Sequence, residues 1–277
     1  MHVAVTGAAG RVGVWVVAEL RAAGHAVLAL DRRDSPDVDG GVRQVDLADP
    51  EATRLALRGA DAVVHLAAVP GPVDPPWSTF DPNVTTTYHV LEAARAEGIG
   101  RVAMASSIWA YGYNPPAEDR LPPRLPLAED MIVPTTNCYG LSKRLLEALG
   151  REYAAAQGLQ VVCMRYPWVG PPGRLRARGS FGDDGGIWGR AEAWSYVDAR
   201  DVASACRLAV ERDGLGFLVC NIGAADTKST LPSAELVAAH RPDAALLREL
   251  RGHEALYSIE RARQHLGYEP RHTWRDE

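Results

Sequence analysis

The stretch HVAVTGAAGRVGVWVVAEL, residues 2–20, decides the fold of this chain. Its apolar start predicts a strand, and three glycines, Gly7, Gly10 and Gly13, lead from that strand into an amphipathic helix. In this order the first glycine permits a tight turn, the second lets a pyrophosphate approach the backbone, and the third lets the helix pack closely on the strand. The sequence therefore predicts a dinucleotide-binding site whose phosphates lie at the helix N-terminus.

Strand-like and helix-like segments alternate through the first 165 residues. This alternation predicts an α/β fold with a doubly wound parallel sheet, in which ligands bind beyond the carboxyl ends of the strands. The predicted strands are HVAVTG, HAVLAL, VRQV, DAVVHLAA, RVAMASS and LQVVCMR, with a later strand in GFLVCNIG. The predicted helices span residues 11–23, 50–58, 79–97, 137–157 and 201–212.

Two segments interrupt this alternation. Residues 112–136 hold six prolines and predict an irregular loop, whereas residues 170–195, rich in Gly, Pro and Arg, predict a second loop or lid. Beyond the last predicted strand we expect a polar C-terminal tail. We expect a Rossmann-type dinucleotide-binding domain and a small C-terminal substrate lobe. The predicted domain consists of residues 1–164 plus 196–223, and the predicted lobe of residues 165–195 plus 224–277.

Charged residues after the second and third strands bear on the choice of cofactor. Asp31 ends the second strand, where a carboxylate can accept hydrogen bonds from the adenosine ribose, and this favours NAD. Arg32 and Arg33 follow at once; either could pair with the 2′-phosphate of NADP, or both could be solvated. Asp46 and Leu47 could contact the edge and the face of the adenine, although an aspartate at this place is often only a turn residue.

A tyrosine and a lysine lie one helical turn apart in the segment YGLSK. Tyr139 and Lys143 are four residues apart on one face of a predicted helix. A nearby ammonium stabilises a phenolate, so we expect Lys143 to lower the pKa of Tyr139 toward the range useful for acid/base catalysis. Ser107, at the end of the fifth strand, is placed to hydrogen-bond the same substrate oxygen. By itself such a Tyr and Lys pair also occurs by chance in many helices.

The order of TGAAGRVG, HLAA, ASSIWAYG, YGLSK and RYPWVGPPG resembles the extended short-chain dehydrogenases, also called the NAD-dependent epimerase/dehydratase family, over nearly the whole chain. The resemblance implies that Ser107 is the catalytic serine and that Tyr139 and Lys143 are the acid/base pair. It also implies that Asn83, in the helix DPNVTTTYHVLEAA, is linked to a water chain behind the lysine.

The same resemblance places the cofactor along the sheet edge. Leu66, Ala67 and Ala68 are expected along the adenosine ribose and the phosphates, and Pro167 at the carboxamide end of the nicotinamide. From the motifs and the resemblance together, the residues predicted to bind the cofactor are Gly7, Gly10, Arg11, Val12, Gly13, Asp31, Arg32, Asp46, Leu47, Leu66, Ala67, Ala68, Tyr139, Lys143 and Pro167.

Two departures from the family pattern bear on the substrate. Nucleotide-sugar epimerases usually carry an arginine for the substrate diphosphate in the segment that corresponds to AWSYVDARDVA, and Trp194 stands there in this chain. The stretch before this segment is also much shorter than in those enzymes, so room for a nucleotide is reduced. Both features are more similar to uronate dehydrogenases, which are short members acting on free sugar acids.

Aromatic and basic residues mark the expected substrate region. Aromatic faces suit the apolar side of a sugar ring, but the same tryptophans could simply pack a small lobe. Arg174, Arg176 and Arg178 could bind a carboxylate or phosphate, although the sequence favours the interpretation of this segment as a solvated basic loop. Five of the seven tryptophans fall in this region: Trp77, Trp109, Trp168, Trp188 and Trp194.

Charge, cysteine and histidine patterns exclude several classes of function. The net charge of −5, with acidic and basic residues interspersed, argues against a nucleic-acid partner. The four cysteines lack metal or disulfide spacing, and the eight histidines lack ligand spacing, so we assign no metal. We expect neither a signal peptide nor a membrane span, and hence a cytoplasmic protein with a small-molecule substrate.

The sequence favours a reversible oxidoreductase that uses NAD, with NADP as an alternative, on a small sugar, sugar acid or similar hydroxylated ring. The competing hypothesis within catalysis is an epimerase or dehydratase that acts on a sugar or nucleotide sugar and keeps its NAD tightly held. A third hypothesis is a dinucleotide-sensing protein without catalysis, but such proteins generally lack the tyrosine and the lysine. Because the helices at 79–97 and 137–157 match those that pair subunits in this family, we expect a homodimer.

Overall fold

The computed structural model describes residues 1–113, 122–135, 137–182 and 187–276, and its centre is a seven-stranded parallel sheet. The strands of the sheet are β1 (His2–Thr6), β2 (Ala26–Asp31), β3 (Arg43–Gln44), β4 (Ala62–His65), β5 (Arg101–Ser107), β7 (Gln160–Tyr166) and β10 (Phe217–Asn221). Their spatial order is β3-β2-β1-β4-β5-β7-β10, and every neighbouring pair is parallel. Four short strands form two further parallel pairs; they are β6 (Arg124–Leu125) with β11 (Ala245–Leu246), and β8 (Trp168–Gly170) with β9 (Tyr196–Asp198).

Helices cover both faces of the sheet. The helices are α1 (Gly13–Ala22), α2 (Pro50–Leu57), α3 (Trp77–Ala96), α4 (Cys138–Gln157), α5 (Arg174–Arg178), α6 (Ile187–Arg190), α7 (Ala199–Glu211), α8 (Ser233–His240) and α9 (Glu260–Leu266), with a 3₁₀ turn at Ile108–Tyr111. One face carries α1, α7 and α9, and the other carries α2, α3 and α4. The doubly wound α/β fold expected from the sequence is confirmed.

The pleat of the first strand shows how the sequence serves both layers. Val3 and Val5 point into the core under α1 and α7, whereas Ala4 points into the core under α3 and α4. Since successive side chains of a strand point to opposite faces, a strand covered on both sides must be apolar at every position. This is why residues 3–5 form a continuous apolar run, all of it fully buried.

Local signals fix the ends of α4, the helix that carries the predicted acid/base pair. Asn137 precedes it, and its side-chain oxygen accepts a hydrogen bond from the Gly140 N–H at 2.7 Å. Gly158 ends it with φ of 70°, a left-handed conformation that glycine adopts without a steric penalty. The helix therefore starts just before Tyr139, and this places Tyr139 and Lys143 in its first turns.

The segments after β7 and β10 are more ordered than the sequence predicts. The expected loop at 170–195 contains α5 and α6. The expected polar tail is wrong, because α8, β11 and α9 follow β10. Leu266 and Ala262 of α9 are buried against the main core, and Leu236 and Val237 of α8 enter a satellite cluster. These apolar residues are too few to produce a clear helical period among their polar neighbours.

The satellite cluster lies outside the two layers that cover the sheet. It joins residues that follow β5, such as Tyr111 and Leu127, to Trp194 and to the C-terminal residues Leu256 and Tyr257. The proline-rich loop contributes β6 to it, while residues 114–121 and 136 of that loop lie outside the described ranges. The division of the chain into a domain and a lobe at the boundaries given above stays a prediction.

Every helix within the described ranges is too short or too polar to cross a lipid bilayer.

Candidate active site

Two adjoining pockets follow the carboxyl edge of the sheet. One has a volume of about 350 Å³, the other of about 280 Å³, and both are lined by Gly7, Gly10, Leu66 and Ala68. The first pocket extends to Asp31, Arg32, Arg33, Asp46, Leu47, Ala67 and Asn83. The second extends to Arg11, Val12, Gly13, Ser107, Tyr139, Lys143 and Pro167. The structure thus brings all the residues predicted from the sequence as cofactor-binding or catalytic to one continuous crevice.

The three glycines hold the backbone where a side chain would collide. Gly7 has φ of 73°, and a Cβ there would lie 2.7 Å from the backbone nitrogen of Ala67. A Cβ at Gly13 would lie 2.2 Å from the Gly7 carbonyl oxygen, and one at Gly10 would lie 3.0 Å from the same oxygen. The turn is therefore possible only with glycine at the first and third positions, and the crevice stays open above it.

The N-terminus of α1 faces this opening. No side chain of the described residues caps α1, and its N-cap residue is Val12. By contrast, Asp49, Asn137 and Asp198 cap α2, α4 and α7 with side-chain oxygens. The first N–H groups of a helix lack partners inside it, so α1 presents donors and partial positive charge to a ligand phosphate.

The acidic residue at the end of β2 is held by backbone donors. The Asp31 carboxylate accepts hydrogen bonds from the Ala9 N–H and the Arg33 N–H, both at 3.1 Å. These bonds turn Asp31 toward the glycine loop, where its oxygens line the larger pocket. Arg32 and Arg33 line the same pocket with exposed side chains. The Asp46 carboxylate accepts a hydrogen bond from the Ala48 N–H at 3.0 Å, so Asp46 stabilises the turn after β3.

Ser107, Tyr139 and Lys143 meet in the smaller pocket. Ser107 is the last residue of β5, and its hydroxyl lies close enough to the Tyr139 phenol to act against the rise in the pKa of that phenol. The Nζ atom of Lys143 lies 5.6 Å from the centre of the Tyr139 ring. Lys143 is 3% exposed, and it donates a hydrogen bond to the Ala105 carbonyl at 2.7 Å. A phenol, a hydroxyl and an amine therefore line one wall of the cavity.

The expectation that Lys143 lowers the pKa of Tyr139 is wrong for this structure. Desolvation raises the pKa of Tyr139 to about 12, while the hydrogen bond from Ser107 acts in the opposite direction and the charge of Glu192 adds to the rise. Desolvation also lowers the pKa of Lys143 to about 8. The ammonium of Lys143 is itself buried and donates a hydrogen bond to Ala105. Burial of the Tyr139 phenol raises its pKa by more than the neighbouring groups lower it.

Asn83 joins two sides of the site. Its side-chain oxygen accepts the Val69 N–H at 2.7 Å, and its amide donates to the Val69 carbonyl at 3.1 Å and to the Ser142 hydroxyl at 3.2 Å. Ser142 precedes Lys143 in α4. The structure therefore places Asn83 as a clamp between the loop after β4 and the helix of the acid/base pair.

The tryptophans of the substrate region occupy different environments. Trp168 lines the smaller pocket beside Pro167, and Trp109 packs edge-on against Tyr139 at 5.9 Å between ring centres. Trp194 is fully buried and donates its indole N–H to the Gly182 carbonyl at 2.9 Å. Trp77 is 64% exposed, at the start of α3. The side chain of Trp188 lies outside the described residues.

The basic residues of α5 cover Trp168. The guanidinium of Arg178 lies 5.0 Å from the centre of the Trp168 ring and 5.0 Å from that of Phe181, and Arg174 lies 5.9 Å from Trp168. Such stacking binds the arginines to aromatic faces through cation–π attraction. Arg178 and Arg174 thus pack on Trp168, which lines the smaller pocket, and Arg176 is exposed on the same short helix.

Two buried charged residues, Lys228 and Glu192, were not predicted from the sequence as site residues. Lys228 is fully buried, donates to the Leu175 carbonyl at 2.8 Å, and lies within 6 Å of the ring centres of Trp168, Phe181, Tyr196 and Trp274. Glu192 is 2% exposed and accepts the indole N–H of Trp109 at 2.8 Å. Neither residue stands in a local motif, because its partners come from distant parts of the chain.

Comparison with known proteins gives a consistent result. The sequence model of the NAD dependent epimerase/dehydratase family matches residues 3–223. A UDP-glucose 4-epimerase from Corynebacterium glutamicum is 29% identical over 310 residues, covering 99% of this chain and 92% of its own. An L-arabinose 1-dehydrogenase (NAD(P)(+)) from Haloferax volcanii is 36% identical over 174 residues, covering 61% of this chain and 67% of its own.

Solved structures give the same family likeness. A short-chain dehydrogenase/reductase superfamily protein from Agrobacterium tumefaciens, with bound NAD, superposes with a TM-score of 0.74 at 26% sequence identity. The superposition covers 99% of this chain and 94% of that protein. The likeness therefore extends beyond the sheet to the C-terminal helices that the sequence analysis did not predict.

Proposed function

Since the chain belongs to the NAD-dependent epimerase/dehydratase family and is an NAD-dependent enzyme of the extended short-chain dehydrogenase/reductase type, we propose that it is a dehydrogenase of a small sugar or sugar acid. The observation that carries this proposal is the meeting of Ser107, Tyr139 and Lys143 in a pocket continuous with the glycine loop. These groups suit the removal of the proton from a substrate hydroxyl while the carbon that bears this hydroxyl loses hydride.

The residues present fit a bound NAD. The glycine turn leaves space that a Cβ at Gly7 or Gly13 would close, and the N-terminus of α1 offers donors to the pyrophosphate. Asp31 would accept hydrogen bonds from the adenosine ribose, which favours NAD over NADP, although Arg32 and Arg33 leave NADP as the alternative. Lys143 would hold the nicotinamide ribose. When bound, NAD supplies the acceptor for the hydride.

Tyr139 would handle the proton of the reaction. In the oxidation of a sugar hydroxyl, Tyr139 in its phenolate form would accept the O–H proton, while bound NAD would supply the acceptor for the hydride that leaves the same carbon. The C–O single bond would thereby become a carbonyl, and Tyr139 would then release the proton to solvent. Ser107 would donate a hydrogen bond to the reacting oxygen and keep it next to the phenol. Reduction runs through the same contacts in reverse.

The environment of Trp194 favours a dehydrogenase over a nucleotide-sugar epimerase. Trp194 is buried and bonded to the Gly182 carbonyl, at the position where such epimerases usually carry the arginine for the substrate diphosphate. An indole packed in the interior offers no positive charge to a diphosphate. A free sugar or sugar acid needs no such charge, and this supports the smaller substrate.

An epimerase remains the second candidate. The observation in its favour is the near-complete overlap with the UDP-glucose 4-epimerase from Corynebacterium glutamicum described above. An epimerase would oxidise and reduce its substrate within one cycle, so that the bound cofactor shows no net change.

Turnover with a panel of substrates distinguishes the two candidates. Purified protein is mixed with NAD and, separately, with free sugars, free uronates and nucleotide sugars, while the absorbance of reduced cofactor and the sugar products are followed. We expect stoichiometric reduction of added NAD by a free sugar or uronate. Isomerised nucleotide sugar without net NAD reduction would reject the dehydrogenase in favour of the epimerase.

A further inference from the structure

The buried carboxyl group of Glu192 is held in place by an unusual turn. Ala193 and Trp194, the next two residues, both have φ of 50°, a left-handed conformation that is strained for residues other than glycine. The Glu192 carbonyl accepts the Ser195 hydroxyl at 2.6 Å and the Ser195 N–H at 3.0 Å. The Trp194 side chain of this turn is fully buried. The fold therefore accepts local strain where it fixes Glu192.

This carboxyl group lies next to the acid/base residues. Its Oε1 atom accepts the indole N–H of Trp109 at 2.8 Å. The Trp109 ring packs against Tyr139, and the Trp109 backbone N–H donates to the Ser107 hydroxyl at 3.2 Å. The charge of Glu192 also raises the pKa of Tyr139. Trp109 thus connects Glu192 to both residues that would bind the reacting oxygen.

The second carboxyl oxygen of Glu192 accepts no hydrogen bond from any residue that the structure describes. A carboxyl group that is 98% buried pays a desolvation cost unless donors surround it, and burial raises the pKa of Glu192 to about 7. A ligand hydroxyl is a donor of the right size and charge to complete its hydrogen bonds.

In its ionised form, the Glu192 carboxylate would also repel anionic ligands. Two like charges brought together at a desolvated site repel by several kcal/mol. Arg178 is the cation that acts on Glu192, and its guanidinium is stacked on Trp168 and Phe181.

We propose that Glu192 is the specificity residue of the substrate site: it accepts a hydrogen bond from a hydroxyl of a neutral free sugar and disfavours sugars that carry a carboxylate or a phosphate. This inference rests on the proposed dehydrogenase activity and narrows its substrate class from sugars and sugar acids to neutral sugars.

The test uses three ligands that share one ring stereochemistry and differ in one substituent. L-arabinose, D-galactose and D-galacturonate carry a hydrogen, a hydroxymethyl group and a carboxylate, respectively, at the same ring carbon. The ratio of kcat/KM for each neutral sugar to that for the uronate is measured with NAD for the wild-type enzyme and for Glu192→Gln. Glu235→Gln, on the exposed face of α8, is the matched control for loss of a carboxylate.

We expect the wild-type enzyme to prefer a neutral sugar by at least about tenfold, equivalent to about 1.4 kcal/mol, and Glu192→Gln to lose most of this preference. The glutamine keeps an acceptor for the Trp109 indole but carries no charge. Glu235→Gln should retain the wild-type ratio. Trp109→Phe, which removes the indole donor and keeps a smaller aromatic ring beside Tyr139, should shift the ratio in the same direction and serves if the glutamine variant does not fold.

The possible outcomes distinguish a failure of the proposed role of Glu192 from a failure of the proposed dehydrogenase activity. Preference for the uronate in the wild-type enzyme, or an unchanged ratio in Glu192→Gln and Trp109→Phe, would overturn the role of Glu192 while leaving the dehydrogenase in place. Failure of every free sugar and uronate to reduce NAD, in a protein shown to bind NAD, would contradict the proposed function itself.

Discussion

Tyr139 has to change its protonation state in surroundings that favour the neutral phenol. Its pKa is raised to about 12 by desolvation and by the charge of Glu192, whereas the bond from Ser107 favours the phenolate. The free enzyme therefore holds Tyr139 as the neutral phenol, the form that can protonate the alkoxide oxygen produced when hydride adds to a carbonyl carbon. In the direction of oxidation, the proposed role of Tyr139 requires stabilisation of its phenolate by charges that arrive with the cofactor or remain on Lys143.

Replacement of the phenol tests this role. Tyr139→Phe keeps the ring that packs on Trp109 and removes only the hydroxyl, so we expect turnover to fall by about 10²–10⁴-fold with NAD affinity unchanged. The rate is read from NAD reduction, and the affinity from calorimetric titration with NAD. Retention of most of the activity would refute the assignment of Tyr139 as the acid/base.

Asp31 is the residue whose loss should separate the two cofactors. We expect Asp31→Ala to weaken NAD binding by about tenfold, because the hydrogen bonds to the ribose are lost, and to weaken NADP binding less. Titration with each cofactor measures the effect. Asp31→Asn, which keeps an acceptor for the Ala9 N–H, controls for damage to the loop. An equal loss for NAD and NADP would contradict the assignment.

At the scale of elements, the contact between β1 and α1 depends on the absence of one side chain. A Cβ at Gly13 would lie 2.2 Å from the Gly7 carbonyl oxygen and 2.7 Å from Ala8 Cα, both backbone atoms that cannot turn away. The turn must therefore open, or α1 must move off the sheet. Either shift would disturb the crevice above the turn.

Gly13→Ala should consequently destabilise the fold by about 1–3 kcal/mol and abolish tight NAD binding, as expected for an overpacked site. Gly100→Ala is the matched control, because a Cβ at Gly100 would meet nothing within 4 Å. Thermal unfolding in the absence of cofactor measures the difference. A Gly13→Ala protein as stable as Gly100→Ala would show that the contact between β1 and α1 does not depend on glycine.

The elements that the sequence predicts correctly are those specified by local patterns. The strands of the sheet, α1 to α4 and α7 carry continuous apolar runs, glycine turns or caps within a few residues of one another. The helices α8 and α9 and the short helices α5 and α6 are stabilised by contacts with distant segments, so no local period marks them. For the same reason Glu192 and Lys228 were missed, since their partners Trp109, Leu175 and Trp274 are far apart in the chain.

The raised pKa of Tyr139 shows a second limit of sequence reasoning. Spacing in a helix establishes that Lys143 is near, but it does not reveal that the ammonium is bonded to Ala105 or that the phenol is desolvated. The proximity of a charge predicts the sign of only one contribution to the shift in pKa. The sum depends on burial, which is a property of the tertiary structure.

At the scale of the whole molecule, α3 and α4 present apolar residues to solvent. Trp77 and Tyr88 of α3 are 64% and 47% exposed, and Leu141 of α4 is 44% exposed. Exposed aromatic side chains on paired helices are typical of a surface that a second subunit covers. The homodimer expected from the sequence would bury this surface.

We therefore predict a mass of about twice the 29.9 kDa of one chain in light scattering. Tyr88→Glu should shift the protein toward the monomer, because it places a charge in the proposed contact. Leu247→Glu, at a residue that is 51% exposed outside these helices, should leave the mass unchanged. A wild-type protein that is monomeric at all concentrations would reject the homodimer.

The central claim is that this crevice transfers hydride from a free sugar to NAD. The most direct measurement uses a sugar from the substrate panel that is deuterated at every carbon, followed by mass spectrometry of the cofactor released to solution. We expect one deuterium in each molecule of reduced NAD, and no such product from Tyr139→Phe. Reduced cofactor without deuterium, or sugar isomerised with its label retained and no reduced cofactor released, would contradict it.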